Sequence, residues 1–210
     1  EVIRLSGLNL VINDLDMPLI IKVASIPKER IQVYFIDNEE YFKRKATLRD
    51  RDNKLFEDND ERAIFFAKGV FETIKRLNWS PDIIHIHGWI AALLPLYLKN
   101  IYKDEPIFQN SKIITSLYGN EFDKTLNKNM MNKILFDEID DSYISELSKP
   151  TYENLMKVAI DSSDAVIRGS ENISSEINEY LKKYKKPILE FQPIDSFAEP
   201  YMDFYNNLLS

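Results

Sequence analysis

The chain has two histidines among 210 residues, and both lie in one short apolar run, Pro81-Asp82-Ile83-Ile84-His85-Ile86-His87-Gly88-Trp89. Residues two apart on a strand point to the same face. Two imidazoles on one face could bind a metal, pass a proton or hydrogen-bond a polar ligand. A metal site needs three or four ligands; no third residue has a recognisable spacing and there is no cysteine, so no metal is expected. His87 is nearer the carboxyl end of the strand, where open α/β sheets present their ligand crevice. The same rule nominates Trp89, Tyr118, Asn120 and Glu121, each at or just beyond the end of an expected parallel strand. Trp89 could stack on a ligand's ring, although a tryptophan after a strand more commonly packs.

Other chemistry is less well supplied. Asp58, Asp60 and Glu61, and again Asp137, Glu138, Asp140 and Asp141, could pair as acid and base. A helix N-terminus and a solvated acidic run explain them more simply. Five glycines build neither a Gly-x-Gly-x-x-Gly nor a Walker loop, so no cofactor is implied. No residue is assigned as catalytic.

The elements that must position these side chains follow from pattern. Short apolar groups over residues 2–25 suit hairpin arms, and Ile31 to Ile36 reads as a buried strand ending at Asp37-Asn38. A polar loop covers Lys43 to Asp58. Asp58-Asn59 then caps a helix whose apolar positions Ile64, Ala67, Phe71, Ile74 and Leu77 recur at helical spacing. The strand Asp82 to His87 leads into a helix of about twelve residues from Ile90, which Pro95 should kink. Lys112 to Leu117, Ala165 to Ile167 and Pro187 to Phe191 read as further strands. Helices are expected over Met130 to Phe136, part of Asp141 to Leu147, Tyr152 to Asp161, from the cap Ser170 to Lys183, and from the cap Ser196 over Phe197 to Leu209. From Ile31 on, this alternation predicts an α/β, Rossmann-like fold: one domain over 1–210, a mostly parallel sheet with helices on both faces.

Apolar residues make up 44% of the chain and the net charge is -7. The charges are well mixed, which argues against nucleic acid as a partner. The longest apolar run, Trp89 to Leu98, is too short to span a bilayer, and the start lacks the basic region of a signal peptide. No membrane association is expected, and the lack of cysteine fits a reducing cytoplasm. A chain that opens on Glu1 rather than Met reads as a processed or trimmed product.

The run Ser80 to Lys99 resembles the Pro-Asp-(Ile/Val)-(Ile/Val)-His-x-His-Asp-Trp-x-x-(Ala/Gly)-Leu-x-Pro-x-Tyr-Leu segment of bacterial glycogen synthases and plant starch synthases. Val33 to Arg44 resembles that family's segment ending in Tyr-Phe-Asp-Arg, and Asp58-Asn59-Asp60-Glu61-Arg62 its Asp-Asn-x-x-Arg-Phe helix start. Lys157, Ala159, Ser163, Asp164, Val166 and Ser170 fall in register with its Lys-x-(Gly/Ala)-x-x-x-(Ala/Ser)-Asp-x-Val-x-x-x-Ser. The motifs, in the family's order, cover roughly Ile31 to Ser170.

The resemblance implies the amino-terminal half of a GT-B glycosyltransferase, two Rossmann-like domains facing across a cleft. It implies ADP-glucose-dependent α-1,4-glucan glucosyl transfer as the family activity. The family's first strand and its Lys-x-Gly-Gly-Leu loop have no counterpart here, nor has the second domain that supplies the sugar-nucleotide contacts. Three polar cleft positions are replaced in this chain, at Leu48, Gly88 and Leu117. These departures imply a chain that is inactive alone, binding α-glucan but not ADP-glucose unless a second domain is supplied. The alternative is a non-catalytic single-domain relative that binds α-glucan, a protein partner or a second copy of itself. Arg44 and Arg62 fall on retained family positions, where a place in the crevice and structural salt bridging are both open roles.

Overall fold

The computed structural model describes residues 2–119 and 122–210. The chain begins with a long hairpin, β1 (Ile3–Ile12) and β2 (Leu15–Ile26). It turns at Asn13, whose φ of 59° is left-handed and tolerable for asparagine. β3 (Ile31–Asp37) pairs antiparallel with β2, completing a three-stranded sheet. Alternate residues Leu10, Ile12, Met17, Leu19 and Ile21 are buried, the period-two pattern of a sheet with one covered face.

The cover is α2 (Asn59–Arg76), reached through the short α1 (Glu39–Phe42) and the polar loop. Asn38 caps α1 by accepting from the amides of Glu40 and Tyr41, and donates to Pro18 O, tying the cap to β2. Gly69 is the point of closest approach between helix and sheet: a Cβ there would lie 2.6 Å from Ile36 Cγ2.

The second sheet is parallel. β4 (Ile83–His87), α3 (Leu94–Asn100), β5 (Lys112–Leu117), α4 (Met130–Leu135), α5 (Tyr152–Ser162), β6 (Ala165–Arg168), α6 (Ser175–Leu181) and β7 (Ile188–Leu189) follow in order. The strands lie side by side as β4-β5-β6-β7. Ile84, Ile86, Ile113, Leu117 and Val166 face the main core with residues of α3 and α5. Ile114, Ala165 and Ile167 face the other way and are covered by α7 (Ala198–Leu209) through Tyr201, Phe204, Tyr205 and Leu208. Helices therefore cover both faces, as the alternation predicts.

Several expectations need correction. β3 is not a buried strand of the parallel sheet: Ile31 and Phe35 are 50% and 42% exposed, and the strand is an edge of the antiparallel sheet. Its apolar run meets cover on one side only, which composition alone does not distinguish. Pro95 does not kink a long helix. A 3-10 turn over Trp89–Ala91 comes first, and Pro95 sits in the first turn of α3, where its missing N–H costs nothing. Ser174, not Ser170, flanks α6, and Phe197, not Ser196, flanks α7; neither gives a side-chain cap. Asp58 flanks α2 without capping it, because its carboxylate holds Arg44. The segment Asp141 to Leu147 forms 3-10 turns.

Candidate ligand crevice at the carboxyl end of the parallel sheet

β4 and β5 run in register with His87 opposite Ser116, so His85, His87, Ser116 and Tyr118 share one face. His85 is held at both ring nitrogens: Nδ1 lies 2.7 Å from Tyr205 Oη and Nε2 2.7 Å from Ser116 Oγ. Burial, and then the neighbouring His87, push its pKa down to about 3. It is a neutral, structural imidazole that pins α7 to the sheet.

His87 stands one step further out. Its Nδ1 lies 2.5 Å from Tyr118 Oη, and its ring packs 4.1 Å from that of His85 and 5.9 Å from that of Tyr118. Desolvation of the ring lowers its pKa as well. Tyr118 is fixed from behind, because its carbonyl accepts from Tyr152 Oη at 2.8 Å. Gly169 makes room for it: a Cβ there would fall 2.4 Å from the Tyr118 ring. Beside this pair, Gly88 has φ of 77° with no atom within 4 Å of where a Cβ would sit. The result is an open floor flanked by a neutral imidazole and a phenol.

The other nominated residues fare differently. Trp89 is 4% exposed and packs edge-on against Phe122 at 5.0 Å, so its surroundings show packing and leave no open ring face for a sugar. Asn120 and Glu121 lie outside the described residues. Leu117, read as a replaced cleft position, is 1% exposed in the core, because it alternates with Ser116 and Tyr118. The residue that fronts the crevice from β5 is Tyr118. Ser116 and Tyr205 were missed; strand parity could have found the first, whereas no local signal brings α7 back over β4. Among the described residues no three His, Cys, Asp or Glu side chains gather as a metal site.

The retained family motifs are mostly structural. Ser163 Oγ lies 2.7 Å from Thr115 Oγ1 and bonds Ala159 O. Asp164 takes the Ile113 amide and the Lys99 ammonium, each at 2.8 Å. Lys157 pairs with Glu176 at 2.6 Å. Arg44 forms a salt bridge, to Asp58, while Arg62 bonds only the neutral Asn59 among the described residues, at 2.6 Å.

A four-stranded parallel sheet, helices on both faces and a crevice at its carboxyl edge define a Rossmann-like half of the GT-B type. The catalytic domain of starch synthase IV from Arabidopsis thaliana, solved with ADP and acarbose, has the same fold: the TM-score is 0.70 at 15% identity, covering 91% of this chain and 40% of that one. The starch synthase catalytic domain family model matches residues 2–186, and the chain belongs to that family, the glycogen and starch synthases. The glycogen synthase of Chlorobium phaeovibrioides is 33% identical over 187 residues, 84% of this chain and 36% of that protein. That of Chlorobium luteolum is 38% identical over 141 residues, 66% of this chain and 29% of that protein. The chain thus spans about a third of the length of these relatives.

Proposed function

We propose that this chain is the acceptor-side portion of an α-1,4-glucan glucosyltransferase and that it binds α-glucan at the His87–Tyr118 crevice without transferring glucose by itself. The observation that carries this is the crevice chemistry. A neutral imidazole, a phenol and a glycine offer hydrogen bonds to sugar hydroxyls. They do not offer the preorganised charge that an oxocarbenium-like transition state requires. Gly88, where the family resemblance places an aspartate, and Leu48, where it places a tyrosine, point the same way. Transfer from ADP-glucose is assigned to the chain only when joined to a second domain carrying the sugar-nucleotide contacts. A cytoplasmic location is part of the same proposal, supported by the absence of cysteine; among the described residues no helix is long and apolar enough to cross a membrane.

Calorimetry with maltoheptaose and with ADP-glucose tests the proposal. Oligosaccharide binding that weakens about tenfold in His87→Ala, with no heat from ADP-glucose, is the expected result. ADP-glucose affinity without oligosaccharide affinity would overturn it. Incorporation of labelled glucose into glucan by the isolated chain would overturn the claim that it does not transfer.

A further inference from the structure

Two phenols of α7, Tyr201 and Tyr205, sit one helical turn apart against the strand face that carries His85, His87, Ser116 and Tyr118. Their rings lie 6.0 and 5.8 Å from that of His85. Both belong to a helix outside residues 2–186, the stretch that the starch synthase family model matches. Tyr205 Oη is 2.7 Å from His85 Nδ1, and His85 Nε2 is 2.7 Å from Ser116 Oγ. The Ser116 hydroxyl in turn acts on Tyr201 as a hydrogen-bond partner. The path of hydrogen bonds thus leaves α7, crosses β4 and β5, and returns to α7.

A closed path of this kind fixes where each proton points. Burial, and then Tyr118, raise the Tyr201 pKa, while the Ser116 hydroxyl works against both as a donor to the phenol oxygen. With that proton given to Tyr201, Ser116 Oγ accepts from His85 Nε2–H, and His85 Nδ1 accepts from Tyr205 O–H. The bond at one ring nitrogen sets the state of the other, so His85 is held as the neutral Nε2–H tautomer. Its ring cannot turn without breaking one of the two bonds. His87 packs on that ring at 4.1 Å with its own Nδ1 on Tyr118 Oη, and among the described residues neither imidazole is paired with a carboxylate.

We infer that Tyr205 is a positioning residue of the glucan crevice: from α7 it locks the His85 ring, and the locked ring is the backing that orients His87 toward a sugar hydroxyl. The consequence for sugar rests on glucan binding at His87, whereas the locking is a property of the unliganded protein. Packing does not require a phenol at this position. Phe204 and Leu208 also cover Ile114, Ala165 and Ile167, and phenylalanine would fill the space of Tyr205. Phenylalanine would leave Nδ1 an acceptor without its donor, and the ring behind His87 would be free to turn.

Tyr205→Phe tests this, with Leu208→Ala as a variant that loosens α7 without touching the hydrogen bonds. Because the chain has two histidines, NMR of nitrogen-labelled histidine reads both rings directly, well below the melting temperature. In the unliganded wild type His85 should show the Nε2–H pattern. Tyr205→Phe should lose that pattern and shift the His87 signals with it, whereas Leu208→Ala should keep both. Maltoheptaose affinity should fall about fivefold in Tyr205→Phe, the worth of one hydrogen bond. It should hold in Leu208→Ala, even though that cavity lowers the melting temperature more. Unchanged histidine signals in Tyr205→Phe would overturn the inference whether or not glucan binds. So would an affinity unchanged in Tyr205→Phe, or one that merely follows melting temperature across the two variants. A wild-type protein that binds no maltoheptaose would refute the proposed function, and the histidine signals would then decide the locking by themselves.

Discussion

His85 shows how one side chain can tie stability to pH. Its folded pKa of about 3 lies below the ordinary 6.5, so the unfolded chain takes up a proton that the folded chain refuses. Stability is complete above pH 6.5 and is lost as pH falls below it, with His87 contributing in the same direction. Between about pH 6.5 and 5.5, above most of the carboxylate range, melting temperature should fall with acidification. The slope should flatten in His85→Gln, which hydrogen-bonds but does not titrate. An unchanged slope would show that the imidazole is not the cause. The sequence announced both histidines and their shared face. It did not announce that one was already satisfied, because the partner Tyr205 lies on a helix distant in the chain.

At the level of elements, α4 is held to the start of α2 by a buried ion cluster. Lys133 Nζ lies 2.7 Å from Asp60 Oδ2 and 2.7 Å from Glu61 Oε1, and Asp60 is fully buried. Lys133→Met leaves the Asp60 carboxylate without its cation, a loss expected to cost about 3–5 kcal/mol, roughly a 10 °C fall in melting temperature for a chain of this size. Asp60→Asn in the same background should recover part of it; a Lys133→Met protein that melts unchanged would show that Asp60 is already protonated. Asp60 read in sequence as a helix-start residue serving the macrodipole, and it does lie in the first turn. Its second role depends on α4, which the pattern did place, and on a contact across the core that no local pattern encodes. Strand existence was legible wherever β-branched runs met turn residues, as at β4 and β5. The side of Pro95 on which a helix lies was not, since the same proline serves as a kink or as a first-turn residue depending on where the turn before it closes.

Taken whole, the molecule joins an antiparallel sheet and a parallel one through α2, and a buried cluster runs continuously from Leu10 in β1 to Leu181 in α6. The alternation of strands and helices made the parallel half legible; the antiparallel half was legible only as hairpin arms, and β3 was assigned to the wrong sheet. The two halves also differ in how far apart in the chain their partners lie. Ile12 pairs with Leu15 and Ile26 with Ile31, whereas Ile83 pairs with Lys112 and Ile114 with Ala165. Short closures are entropically cheap and hairpins form in microseconds, while non-local parallel pairings are slow. The hairpin sheet should therefore be a scaffold in time as well as in space. Pulsed hydrogen exchange during refolding is expected to protect β1 to β3 before β4 to β6, and the opposite order would refute this. Because His87 and Tyr118 meet only when β4 and β5 pair, the crevice comes into existence after the hairpin scaffold, and a chain caught partway through folding would have its scaffold but no crevice.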